Sequence, residues 1–414
     1  MHLMAAVVEN LIKPTVLRGL LAWERRESGV AYDFISEEAR TDPYPTYRRL
    51  RTLDPVHRMR TIDAWALTRY RDVEAVLRDH ARFANADRVF VETISMSLLE
   101  LDPPEHTRLR LLVSKAFTPR AVARLHGRIQ RITDELLDAV AGVERFDLVA
   151  ALGYPLPVTV IAEMLGVRPR DLDLFKGWSN VLALSVNAIL TTEEVRAIKQ
   201  AADEAYAYFE TIIDERRRQP REDLVSALLA AEEEGDRLTR EEMLAVMLLI
   251  LVAGNETTRN LIGNGMLALL RNPGELRRLR EDPGLLDSAV EELLRYDSPV
   301  QLDDRTVRED VEIGGKSIRA GKRVVAIIGA ANRDPEVFDD PETLDIGRGE
   351  KSHLSFGRGI HYCLGAALAV LEARIAFASL LDRFPSIRLA AEPRYRDNVV
   401  LRGLDELWIE VERA

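Results

Sequence analysis

The stretch "FGRGIHYCLGAALA", Phe356 to Ala369, decides how the chain is to be understood. It carries Cys363, the one cysteine among 414 residues, set among glycines and followed by small apolar residues. The run from Leu364 onward reads as a buried helix, which places Cys363 just before a helix N-terminus. On base rates a lone cysteine is an inert core thiol.

Other chemistries compete with that reading. A zinc site needs further Cys or clustered His ligands, and only His361 is close. A protease-type nucleophile needs a His base and an orienting residue elsewhere, which the sequence neither shows nor excludes. A haem iron can be held by one thiolate, which pushes electron density toward the metal. Gly357, Gly359 and Gly365 allow positive φ and a close approach of backbone to a flat ligand. A helix N-terminus is expected to lower the thiol pKa. Phe356 is placed to lie under a macrocycle, and His361 to donate to a propionate.

Read as Phe-Gly-x-Gly-x-His-x-Cys-x-Gly, "FGRGIHYCLG" resembles the haem-binding signature of the cytochrome P450 family. The resemblance implies haem b (iron protoporphyrin IX), with Cys363 as the proximal iron ligand. One departure is Val370, where the family often carries Arg; this touches only local helix contacts.

Upstream regions agree. Thr239-Arg240-Glu241-Glu242 is a capping box opening a helix that runs to Asn272-Pro273. Such a helix extends ~48 Å, and being apolar nearly all round it is buried. In its middle stands "AGNETT", Ala253 to Thr258. A Glu inside a buried helix is costly unless paired or functional, and a Thr can bend the helix by bonding a carbonyl one turn back. Gly254 leaves room for a ligand. By resemblance to the family's distal helix, Glu256 belongs to a proton relay and Thr257 stabilises the oxygen adduct. His106 and Arg110 lie four apart in "PPEHTRLR". With Arg305 and His361 they are placed around the propionates by the resemblance, which adds Phe356, Gly365 and Ala253 as haem contacts. Asp303 either orients that cluster or recognises a polar group on the substrate; the first is favoured. Glu292 and Arg295, three apart, match the family's Glu-x-x-Arg helix, with Arg348 as third member of a structural triad.

Bulk properties agree with a soluble globular protein. With 57 Lys and Arg against 68 Asp and Glu, the net charge of −11 argues against nucleic acid as a partner. One cysteine excludes an intrachain disulfide and suits a reducing cytoplasm. No secretory signal is visible. The apolar run Met243 to Gly254 falls well short of the ~20 residues that span a bilayer. The segment Val7 to Trp23 is read as packing on the body rather than lying on lipid.

The periodicity gives a mainly α (α+β) fold with a long central helix and a small β-sheet subdomain, and the resemblance implies one cytochrome P450-like domain over 1–414. Its helical core covers 100–300 and 364–384, and its β-rich portions lie near 50–70, 305–330 and 395–412. Helices are expected near 66–80, 104–118, 119–142, 155–166, 196–219, 239–271, 284–296 and 364–384. "NRDPEVFDDPETLDIGRGEKSHLSFGRG" lacks either periodicity, and a loop this long is usually functional.

The reaction implied is monooxygenation of a hydrophobic small molecule such as a lipid, terpenoid, steroid or secondary metabolite. Electrons would come from NAD(P)H through a separate ferredoxin reductase and ferredoxin. Between His106 and Thr133 no acidic residue occurs, and Arg120, Arg124 and Arg128 form a helical stripe suited to an acidic donor. Candidate pocket walls are Val91, Ile94, Met96, Leu182, Gly254, Val300, Leu302 and Val400. A haem-thiolate peroxygenase or isomerase, or a non-catalytic haem sensor, is the alternative; the intact Glu256-Thr257 pair favours the oxygenase.

Overall fold

The computed structural model describes residues 14–85, 98–187, 190–231, 235–349 and 352–412. Its axis is the central helix, Arg240–Arg271. Thr239 accepts from the Glu242 backbone N–H while the Glu242 carboxylate accepts from the Thr239 N–H, the reciprocal cap expected from the sequence. Met243, Leu248, Leu251, Met266 and Leu269 bury different sides of this helix in the main core. Around it pack the helices Pro155–Met164, Leu172–Ala183, Thr192–Arg218, Leu286–Tyr296 and Ala366–Arg383. The last of these, called the cysteine helix below, follows Cys363 directly.

The largest sheet has five strands, in the order Val56–Met59, Ala64–Leu67, Arg323–Ala326, Asp303–Val307 and Phe83–Ala84. Only the pairing of Ala64–Leu67 with Arg323–Ala326 is parallel. Alternation assigns the two faces. Val324 and Ala326 join one apolar cluster with Leu67, Val73 and Phe338, while Val325 joins another with Tyr32, Tyr47 and Met59. Smaller sheets are formed by Arg145–Asp147, Trp408–Glu412 and Ser386–Leu389, and by Arg394–Tyr395 with Leu404–Glu406. Gly314 and Gly315 take φ of 57° and 75° at the turn between Val311–Ile313 and Lys316–Ile318. That is the two-residue hairpin the pair of glycines announces.

Three boundaries differ from the sequence reading. The helix expected over 119–142 is two, Pro119–Arg124 and His126–Asp138. They meet at Leu125, whose N–H bonds the Val122 carbonyl at 3.0 Å and so closes a tighter turn. The periodic segment 66–80 is the end of a strand and then a helix, Tyr70–Arg78, separated by extended Arg69. Finally, Leu172–Ala183, Leu224–Ala230 and Pro273–Glu281 are helices that the periodicity did not single out.

Candidate active site

The cysteine loop is closed by its own backbone. The Cys363 N–H donates to the Phe356 carbonyl at 2.8 Å, and the Gly357 N–H to the Leu354 carbonyl at 2.8 Å. Gly359 has a φ of 70°, and a Cβ there would stand 2.8 Å from the Leu77 carbonyl oxygen. Its bare backbone is therefore required by the neighbouring helix, and its positive φ is the one the sequence reading expects. At Gly365, by contrast, a Cβ would meet nothing within 4 Å. The expected lowering of the thiol pKa is not found. Burial pushes Cys363 up, against the opposing pulls of the Gly365 N–H and the Arg110 charge.

The root of this loop is tied to the helix Leu286–Tyr296. Asn332 accepts from the Leu354 N–H at 2.7 Å, and Ser355 Oγ donates to the Leu294 carbonyl at 2.7 Å. Arg295, 1% exposed, chelates Glu292 at 2.7 and 2.8 Å and donates to the carbonyls of Asn332 and Pro341. Arg348 approaches the same carboxylate at 3.2 Å. These three residues thus fasten the irregular stretch 332–348 to the helix.

Four residues expected around an anionic group fall into two sets. His106, Arg110 and His361 are brought together: the two imidazole rings stand 4.2 Å apart, and Arg110 donates to the Tyr362 carbonyl at 2.6 Å. His106 is 1% exposed, and neither ring nitrogen has a hydrogen-bond partner among the described residues. Burial and the nearby Arg110 charge lower its pKa to about 4. Arg305, 3% exposed, rises from the strand Asp303–Val307 and is held by Asp303 at 2.7 Å.

Along the middle of the central helix, Ala253 is exposed and Gly254 and Thr257 are half-buried, while Asn255, Glu256 and Thr258 are buried. Positions i, i+1 and i+4 share one face, so this otherwise enclosed helix borders open space there. Thr257 Oγ donates to the Ala253 carbonyl at 3.0 Å, the back-bond expected of it. Gly254 also lets the helix Pro155–Met164 pack closely. A Cβ on it would lie 2.6 Å from Ile161 Cδ1, so the helices could not approach as they do. Glu256 is paired: Arg396 donates to Oε1 at 2.5 Å, and Arg259 lies 3.7 Å from Oε2. Arg396 was not anticipated, because nothing in the local pattern of "RYRDNVV" ties it to a helix so far back.

The Cytochrome P450 family model matches residues 55–394. Cytochrome P450 107B1 of Saccharopolyspora erythraea is 45% identical over 389 residues, 88% of this chain and 94% of that protein. Cytochrome P450 monooxygenase PikC of Streptomyces venezuelae is 43% identical over 399 residues, 92% of this chain and 94% of that one. The chain belongs to the cytochrome P450 family. The solved structure of CYP109E1 from Bacillus megaterium in complex with testosterone matches with a TM-score of 0.84 and 42% identity. It covers 89% of this chain and 99% of that one.

As a cytochrome P450 the protein is a haem-iron oxidoreductase of the monooxygenase class, and its mainly α fold is that of the family. The residues fit haem b. His106 offers two orphaned ring nitrogens next to Arg110, where propionate charge would be neutralised. Gly365 leaves open space beside the thiol, and Phe356 is half-buried against the main core.

Of the expected pocket walls, Val91, Ile94 and Met96 lie outside the described residues. Leu182 is wholly buried in the main core, so its side chain fills that core. Val300 pairs with Leu401 in an isolated bridge, and the Gln301 N–H donates to the Val400 carbonyl at 2.9 Å; Leu302 and Val400 are half-buried beside them. In the basic stripe, Arg120, Arg124 and Arg131 are exposed, but Arg128 is engaged by Glu163 at 2.7 Å. The stripe is therefore narrower than its spacing suggests. Among the described residues no helix is long and apolar enough to cross a membrane.

Proposed function

We propose that the protein inserts one oxygen atom of O2 into a hydrophobic small molecule, taking electrons from NAD(P)H through a separate ferredoxin. The observation that carries this reading is that Ala253, Gly254 and Thr257, in the middle of the central helix, border open space while Asn255, Glu256 and Thr258 beside them are buried. Haem b, when bound, supplies oxygen activation. The chain's own residues supply the rest. Cys363 is the iron ligand, held on a loop that its own N–H closes onto Phe356. His106, Arg110, His361 and Arg305 neutralise the propionates, with Asp303 fixing Arg305. Phe356, Gly365 and Ala253 border the ring. Glu256 carries protons toward the Thr257 hydroxyl, which stands on the open face. Glu292, Arg295 and Arg348 are structural.

Apolar Val300, Leu302 and Val400 support a hydrophobic substrate, and the related CYP109E1 was solved with testosterone. The exposed Arg120 and Arg124 support docking of an acidic protein. The chain as a whole is read as one folding unit acting in the cytoplasm. The test is stopped-flow reduction of the haem-loaded enzyme by a plant-type ferredoxin. Arg120→Glu with Arg124→Glu should slow it and weaken its salt dependence. Unchanged kinetics would overturn the docking assignment. A screen for substrate-induced spin shifts with apolar compounds, testosterone first, tests the pocket.

A further inference from the structure

We propose that Arg396 is a positioning residue for Glu256, and that it couples this acid to the chain segment 396–401 that borders the candidate pocket. The inference rests on the reading of Glu256 as a proton carrier.

Glu256 is 3% exposed, and an ionised carboxylate at such depth persists only with a partner. The groups facing it come from four elements. Arg259 stands one turn along its own helix at 3.7 Å, and Arg396 comes from the C-terminal segment at 2.5 Å. Tyr154, just before the helix Pro155–Met164, and Asp405 of the strand Leu404–Glu406 complete the cluster. Arg259 is itself committed, donating to the Leu404 carbonyl at 3.1 Å. Glu256 Oε2 has no hydrogen bond among the described residues. Arg394 serves Asp405 at 3.5 Å, so without Arg396 the Glu256 carboxylate would be left with Arg259 alone, at 3.7 Å. The Glu256 carboxyl would then take up a proton.

The other end of the contact lies beside the candidate pocket. Asn398 Oδ1 accepts from the Val400 and Leu401 N–H groups, both at 2.9 Å, folding 398–401 into a tight turn. The Val400 carbonyl accepts from Gln301, and Arg402 is locked to Asp297 at 2.7 Å. Arg396 is hydrogen-bonded through its N–H to the Gly403 carbonyl at 3.1 Å. Pressure on Val400 from a seated molecule is therefore passed over a few bonds to the guanidinium that fixes Glu256.

The test uses haem-loaded enzyme and two readouts. The first is the infrared band of a protonated carboxyl at neutral pH. Beyond the band of buried Glu372, common to all variants, an additional band should appear in Arg396→Gln relative to the wild type and vanish again when Glu256→Gln is added. The second is hydrogen peroxide formed per NADH oxidised, with a plant-type ferredoxin and its reductase. Glu256→Gln and Arg396→Gln should each change this ratio about threefold or more, in the same direction. The double variant should go no further than Glu256→Gln alone, and Arg396→Lys should restore most of the loss. If Arg396→Gln matches the wild type in both readouts while Glu256→Gln does not, the positioning role falls and the proton-carrier reading stands. If Glu256→Gln itself leaves the ratio unchanged, the underlying reading falls. Should Arg396→Gln fail to retain haem, Arg396→Met takes its place: a peroxide ratio shifted toward that of Glu256→Gln supports the proposal, and a wild-type ratio with no new band overturns it.

Discussion

The imidazole rings of His106 and His361 stand 4.2 Å apart, one from the helix Glu105–Ser114 and the other from the turn that precedes Cys363. This contact joins two distant parts of the chain at the edge of the site. Leaving both nitrogens of a buried His unbonded costs free energy, and a propionate oxygen would relieve that cost. His106→Phe keeps the volume and removes the donor. It should lower haem occupancy and speed transfer of haem to an apo-globin acceptor, while far-ultraviolet circular dichroism stays unchanged. Unaltered haem loss would remove His106 from the propionate set.

Glu292 is the shared acceptor of two arginines and of the Asp345 N–H at 3.0 Å. Deleting one partner of a buried pair strands the other charge, at about 3–5 kcal/mol. Glu292→Ala should therefore cost stability of that order in urea unfolding. Haem content should fall with it, because Arg295 also orders the Asn332 and Pro341 carbonyls at the root of the cysteine loop. A loss under ~1 kcal/mol would show the triad to be dispensable.

The helix Pro14–Ser28 is clamped by a buried relay. His57 Nδ1 lies 2.9 Å from Asp54 and Nε2 lies 3.2 Å from Glu24, and Lys316 pairs with the other Asp54 oxygen. Burial works to lower the His57 pKa, but its two carboxylate partners outweigh it and the net shift from 6.5 is upward. For Asp54, burial is outweighed by the hydrogen bonds from His57 and Lys316, and the net shift from 3.8 is downward. The His57 contribution is then complete below pH 6.5 and is lost as pH rises through the raised value. The Asp54 contribution is complete above pH 3.8 and is lost as pH falls below it. The thermal midpoint should decline as pH rises above 6.5, and His57→Gln should flatten that decline. An identical pH profile in the variant would contradict the clamp.

Glu372 sits wholly buried in the cysteine helix with both oxygens unbonded among the described residues, and burial holds its pKa far above the usual range. A carboxyl raised in this way loses its contribution as pH climbs above the ordinary 4.5. Glu372→Gln should therefore raise the thermal midpoint at pH 8 and change it little at pH 4.5. Equal effects at both pH values would mean that the carboxyl is solvated.

Much of this was legible in the sequence, and for local reasons. The central helix announces itself through Thr239 and Glu242, three residues apart, and the hairpin at Gly314–Gly315 through two glycines in series. The contact sets around Glu292 and His106 were reachable only by resemblance, since three-apart spacing alone marks surface pairs everywhere. Other features needed three dimensions. Arg128 looks free in sequence and is taken by Glu163 from a different helix. That Gly359 and Gly254 also make room for Leu77 and Ile161 is visible only in the packing. The thiol of Cys363 was expected to be acidified by the helix behind it, but desolvation acts on the same atom and wins. The partner of Glu256 comes from the far end of the chain, where no periodicity points back to it.

The central claim is that Cys363 is the iron ligand of a haem held between the central helix and the cysteine helix. The most direct measurement is the carbon-monoxide difference spectrum of the reduced, haem-loaded protein. The account predicts the long-wavelength Soret band of thiolate ligation in the wild type and its loss in Cys363→Ser. A short-wavelength, imidazole-type band in freshly prepared wild type, or a thiolate-type band that survives in Cys363→Ser, would contradict it.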